Sequence, residues 1–249
     1  MKTTRRIAEA GFDGIALKPT TQPPASVDPT AVDSLVIDFE GDDSLPSPDA
    51  VAETAAHTTV VVTTPVRSDG FDPLGDDRLF AAYAPHARFA LVAGNGAYLH
   101  PHERRRAIAP RLAEAIERYP DALVGTEGIE RIALATGAAQ FELLGPRTAS
   151  LIRGLRAAGF TGDIAVYTPA AVTDDRQAAI DWLSGYLRRR RPVQRALDNA
   201  GDSSDEQRVL DQALDNFALV GDTATVNRRI DSLKAVGATA VIGHPVTPN

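Results

Sequence analysis

The sequence predicts an α/β protein, a (β/α)8 TIM barrel formed as a single domain over residues 1–249. Three observations carry that expectation. Eight short apolar runs recur along the chain, segments with helix signals separate them, and 249 residues is an ordinary size for such a ring. The runs are 12–17, 34–39, 58–63, 88–93, 122–125, 140–144, 163–168 and 238–243. Most are continuously apolar rather than alternating, as parallel strands covered on both faces should be. An open doubly wound sheet is the alternative, and it would place a ligand where the strand order reverses.

The connecting segments are read in order. Stretches 20–29 and 41–48 are rich in proline and small or acidic residues, and read as irregular loops that a barrel would carry on its C-terminal rim. Pro48 opens a helix over 49–56. Stretch 102–118 places Ile108, Leu112, Ala115 and Ile116 at helical spacing among arginines, which predicts a helix starting at Pro101 or His102. Ile152 and Leu155, followed by Ala158-Gly159, mark another helix with glycine at its end. Residues 174–215 form a helical insertion before the last strand, broken by Asn-Ala-Gly-Asp-Ser-Ser at 199–204, and read as a helical hairpin beside the barrel.

Composition narrows the chemistry. With no cysteine, disulfides, thiolate metal sites and cysteine nucleophiles are excluded. No apolar run is long enough to span a membrane and the start carries no apolar signal core, so a soluble cytoplasmic protein is expected. A net charge of -7 spread along the chain argues against a nucleic-acid-binding face. The acids are 23 Asp to 10 Glu and the bases 23 Arg to 3 Lys, a skew that fits either a salt-adapted archaeal surface or a GC-rich genome.

Stretch 216–223, Asn-Phe-Ala-Leu-Val-Gly-Asp-Thr, precedes a helix whose buried stripe is Val226, Ile230, Leu233 and Val236. Asp222 or Thr223 caps it, Gly237 ends it, and 238–243 is the final strand. This closing unit resembles that of the luciferase-like superfamily. Within it the chain is similar to the coenzyme F-420-dependent methylenetetrahydromethanopterin reductases. Stretches 124–128 and 132–137 resemble that family's strand with its Gly-Ala-Gln-Gly-type loop and following helix, 163–168 its next-to-last strand, and 7–13 its first helix. The resemblance implies a barrel, a cofactor (coenzyme F-420 or FMN), a small-molecule substrate, hydride transfer and pairing of barrels into a homodimer. Three departures stand out. The family's opening strand has no counterpart, Lys18-Pro19 replaces an acid, and Gly94-Asn95-Gly96-Ala97 replaces a Gly-Pro-Gly-Asp pattern.

Barrel chemistry sits at the C-terminal ends of strands, which nominates the candidate site. Asp38 and Glu40, two apart at a strand end, can face one side as acid and base or hold a cation. His244 before Pro245 is a candidate general acid. Thr63 and Thr64 precede Pro65 on the strand where this superfamily often carries a strained peptide beside the cofactor ring. Gly94, Asn95 and Tyr167 stand at other strand ends. Gly125, Thr126 and Gly128 can present backbone N–H groups to a cofactor phosphate, which Glu127 would repel if it pointed inward. Each also has a bland reading as turn, rim or stop residue. His100-Pro101-His102-Glu103 reads as a helix start rather than a metal site, and Arg188 to Arg191 as a solvated face. Three functions remain open: a deazaflavin- or flavin-dependent oxidoreductase, a relative that has lost the chemistry and serves as a binding or regulatory protein, and an unrelated barrel enzyme using Asp38, Glu40 and a divalent cation.

Overall fold

Eight parallel strands close into a ring in the computed structural model, which describes residues 2–66, 77–93, 101–102, 105 and 107–246. Helix α1 (Lys2–Glu9) leads into β1 (Gly14–Leu17), and two 3-10 turns carry the chain to β2 (Ser34–Ile37). Then α2 (Pro48–Ala55), β3 (Thr59–Pro65), α3 (Asp77–Tyr83), β4 (Ala87–Val92), α4 (Ile108–Arg118) and β5 (Leu123–Gly125) alternate. They continue through α5 (Glu130–Ala135), β6 (Ala139–Leu143), α6 (Thr148–Ala157) and β7 (Ile164–Val172). Helices α7 (Arg176–Arg188), α8 (Arg191–Leu197) and α9 (Ser203–Phe217) lead to a short strand β8 (Leu219–Gly221), then α10 (Thr223–Ala235) and β9 (Ala240–Pro245).

The ring runs from β1 through β7 to β9 and back to β1, where Gly14 faces Ile242 and Ile15 faces Gly243. That seam excludes the open sheet. All eight expected runs are staves of the ring, and it closes without any strand before α1. Strand β8 was not expected, because three residues after a helix carry too little pattern to be read. It lies outside the ring and pairs with the tip of β7, Ala170 to Val172. β7 therefore runs past the expected stop at 168, in spite of Pro169. The reason is positional: the β6 side of β7 is last used at Tyr167, and β8 begins opposite Ala170, so the missing N–H of Pro169 falls between two ladders.

One residue from each stave fills the barrel interior: Ala16, Val36, Val61, Ala90, Leu123, Phe141, Ala165 and Ile242. Three alanines leave the room that Phe141 occupies. Outside, α1 packs over β1, β7 and β9, and its Ile7 is fully buried. Helix α4 begins six residues later than the expected start at 102. Pro110 has no N–H and is tolerated only in a first turn, which places the start at Ile108. The insertion is a pair, α7 against α9, with α8 as a third helix at its turn rather than a simple hairpin. Asp202 starts α9 by accepting from Ser204 and Asp205 N–H at 2.8 and 3.0 Å. Near the seam the Asp13 carboxylate accepts from Val241 N–H and Lys234 Nζ, both at 2.7 Å. No helix among the described residues is long and apolar enough to cross a membrane.

Candidate active site at the barrel mouth

Side chains alternate along a strand, so the residues two positions beyond the interior layer also point inward and form the mouth. They are Lys18, Asp38, Thr63, Val92, Gly125, Leu143, Tyr167 and His244. All but His244 line a cavity of about 250 Å³, together with Phe39, Glu40, Thr64, Pro65, Thr126, Glu127 and Phe141. That volume lies just under the roughly 300 Å³ at which small-molecule sites begin. It takes a ring system and leaves any longer arm of a ligand at the rim.

The polar heart of the mouth spans the ring. The Tyr167 hydroxyl on β7 donates to Asp38 Oδ2 beyond β2 at 2.7 Å. Burial pushes the Asp38 carboxyl up to about 6, against the opposing pull of the Tyr167 hydrogen bond and the Lys18 ammonium. Burial, and then the Asp38 charge, holds the Tyr167 phenol well above its ordinary range, so Tyr167 remains the donor. Its ring leans on Phe141, centroids 5.5 Å apart, and stacks on His244 at 6.4 Å and 12°. His244 Nδ1 lies 3.1 Å from the Ala16 carbonyl, which can only accept, so Nδ1 carries the proton. Burial, followed by the Lys18 charge, lowers the imidazole to about 4 and keeps it neutral. Sequence position alone made His244 a candidate acid. In the fold it is a neutral support for Tyr167.

The remaining expected residues separate into those at the cavity and those away from it. Glu40 lines the cavity, yet its Oε2 accepts from both the backbone N–H of Thr20, at 3.0 Å, and the Thr20 hydroxyl, which ties it to the loop after β1. Thr63 Oγ1 accepts from Phe39 N–H at 2.8 Å and positions the chain beside Asp38. Thr64 keeps a buried hydroxyl without a partner among the described residues. Among the described residues, Thr63 and Thr64 included, there is no positive φ outside glycine. Gly125 and Thr126 border the cavity, whereas Gly128 serves the turn that follows, with φ at 77°. Gly94, Asn95, His100 and Glu103 lie outside the described residues. Among the described residues no cluster of three His, Asp or Glu side chains is placed to hold a metal.

The turn expected to cradle a phosphate is acidic instead. The Thr126 hydroxyl donates to Glu142, and burial raises that carboxyl, aided by the charges of Glu130 and Glu127. Glu142, Glu130 and Glu127 gather at this corner, and Glu127 is paired with Arg190. Sequence reasoning missed the apolar wall of Phe39, Val92, Phe141 and Leu143, which only the barrel register brings together. It read Arg188 to Arg191 as a solvated face, whereas Arg190, between α7 and α8, is largely buried and its Nη1 donates to Glu127 Oε1 at 2.9 Å. No local signal links two residues 63 positions apart.

The fold and the mouth define a (β/α)8 barrel with a ligand-sized cavity at the end where barrel enzymes carry their chemistry. The chain belongs to a family of unknown function, DUF7388, whose model matches residues 7–248. No curated protein sequence matches it. Among solved structures it is similar in fold to the oxygenating constituent of 3,6-diketocamphane monooxygenase from the CAM plasmid of Pseudomonas putida, a type II Baeyer-Villiger monooxygenase in complex with FMN. The TM-score is 0.53 at 14% identity, covering 94% of this chain and 91% of the other.

Proposed function

We propose that this protein is a luciferase-like oxidoreductase that holds the ring of a flavin or deazaflavin, FMN or coenzyme F-420, in the barrel mouth and transfers hydride to or from a small-molecule substrate. The observation that carries this reading is the buried Asp38 carboxyl bonded to Tyr167 in a cavity walled by Phe39, Pro65, Val92, Phe141 and Leu143. The similarity in fold to an FMN-bearing monooxygenase supports it. So does the Asp- and Arg-rich composition, for the narrower reading of a salt-adapted archaeal relative of the F-420-dependent reductases.

These residues fit the ring of such a cofactor. The apolar wall offers a face for a planar system, and Lys18, Asp38 and the unpartnered Thr64 hydroxyl offer hydrogen bonds to a polar edge. They do not fit its phosphate at 125–128, where the carboxylates stand. A bound flavin or deazaflavin supplies the hydride. The chain's own part is to exclude water from the ring face and to hold a proton at Asp38, whose affinity near pH 6 lets it both release and take one close to neutrality. Tyr167 fixes the direction of that carboxyl, and His244 fixes Tyr167.

The test is titration of FMN and of coenzyme F-420 with the protein, followed by turnover with a reduced cofactor. Quenching of cofactor fluorescence is expected, and Asp38→Asn should bind the cofactor about as well while losing roughly 100-fold or more in rate. If neither cofactor is quenched the reading fails. Quenching without turnover of any substrate leaves a binding barrel in its place.

A further inference from the structure

The corner where the helical insertion meets the mouth holds more hydrogen-bond donors than the protein uses. Arg190 has a side chain only 16% exposed, clasped between the rings of Tyr186 and Phe217 at 5.5 and 5.2 Å. A guanidinium has five N–H donors. Among the described residues a single one, Nη1, finds an acceptor, on Glu127. Beneath it the Tyr186 hydroxyl is buried and has no hydrogen-bond partner among the described residues. Burial raises that phenol to about 12, so it keeps its proton, and the charges of Arg190 and Glu127 both reach it. Glu127 itself lines the cavity. Four guanidinium N–H groups and a buried phenol, without acceptors among the described residues, therefore lie directly behind Glu127, the residue of this corner that lines the ligand space.

We infer that Arg190 and Tyr186 form a subsite for an anionic oxygen group, a phosphate or carboxylate at the outer end of the ligand, and that Glu127 is the resident counter-ion which that group replaces. The inference deepens the reading above and moves the anion away from 125–128. Displacement is inexpensive. Glu127 is 54% exposed and makes one hydrogen bond to Arg190, the kind of pair that contributes at most about 1 kcal/mol. An incoming phosphate or carboxylate offers at least two acceptor oxygens in the fork geometry that a guanidinium matches, and a further one to the phenol. The apolar clasp keeps the guanidinium in place whether or not Glu127 holds it. The anion has two sources, the arm of the cofactor or the substrate, and the test separates them.

Binding is read two ways: quenching of Trp182, the single tryptophan, one turn from Tyr186 on α7, and thermal stabilisation by inorganic phosphate or acetate against chloride at matched ionic strength. The expected result is stabilisation by phosphate that Arg190→Gln abolishes, Tyr186→Phe weakens about threefold, and Glu127→Gln strengthens by a similar factor. The opposite signs of the two partners of the pair are decisive. A purely structural latch would lose in the same direction with either substitution, and a variant that failed to fold would lose its circular dichroism as well. If the anion belongs to the cofactor, FMN binds about tenfold more tightly than riboflavin, and Arg190→Gln removes the difference. If it belongs to the substrate, FMN and riboflavin bind alike while phosphate or acetate still stabilises the FMN-bound protein. Stabilisation by phosphate no greater than by chloride overturns the inference, as does a Glu127→Gln variant that binds phosphate no better. Failure of both FMN and riboflavin to quench Trp182, with phosphate stabilisation intact, overturns the flavin reading alone.

Discussion

Asp38 and His244 exchange roles as proton carriers when the chain folds. In the unfolded chain near pH 5 the carboxylate is charged and the imidazole is protonated, whereas in the mouth Asp38 binds its proton up to about 6 and His244 stays neutral down to about 4. The native form binds more protons at Asp38 between about pH 4 and 6, which makes stability fall as pH rises. The native form binds fewer at His244 between about 4 and 6.5, which makes stability fall as pH drops. The two slopes oppose each other, and the intact protein should show little net dependence from this pair. Asp38→Asn should uncover the imidazole, losing roughly 3 kcal/mol as pH falls from 6.5 to 4, and His244→Gln should show the reverse slope. Chemical denaturation at several pH values measures both, and parallel slopes in the two variants would refute the account. Asp38 and Tyr167 were each readable from their places at strand ends. Their bond, across 129 residues, was not, because only the ring register brings β2 and β7 across from each other.

Strands and helices were legible wherever several signals agreed. The eight apolar runs became staves, and the caps at Asp222 and Gly237 bound α10 as the sequence indicates, with the Asp222 side chain accepting from Thr225 N–H and Gly237 at φ 113°. The misreadings came from single residues whose meaning depends on neighbours. Pro110 fixed a helix start that apolar spacing placed too early, and β7 runs on beyond the expected 168 because Pro169 falls in a gap between ladders. The joint between β1 and its neighbours has the narrowest tolerance. A Cβ on Gly14 would stand 2.2 Å from Ser34 Oγ, 2.7 Å from Ile242 Cδ1 and 2.9 Å from the Ser34 carbonyl. The last of these is backbone and cannot turn aside. Gly14→Ala should therefore cost about 1–3 kcal/mol in denaturant unfolding, while Gly154→Ala, on open helix surface, should be neutral or slightly stabilising.

The surface and the ring act on the chain together. A charge of -7 carried largely by Asp and Arg repels itself at low ionic strength, while pairs such as Arg176 with Asp211 and Asp215 are exposed enough to be screened. Self-repulsion is the longer-ranged of the two, so molar potassium chloride should raise the melting temperature, and a fall with added salt would count against a salt-adapted surface. Among the described residues Leu134 is the one large apolar side chain left exposed, so any homodimer contact built from them would rest on polar groups. The seam between β1 and β9 has a further consequence for biosynthesis. The first and last staves are stitched by the pairs Gly14 with Ile242 and Ile15 with Gly243, so a nascent chain cannot shut its hoop until the final stave has left the ribosome. Until that moment the aromatic shelf on His244 does not exist, Tyr167 has only Phe141 to rest on, and a truncated product would offer a visiting molecule no closed chamber.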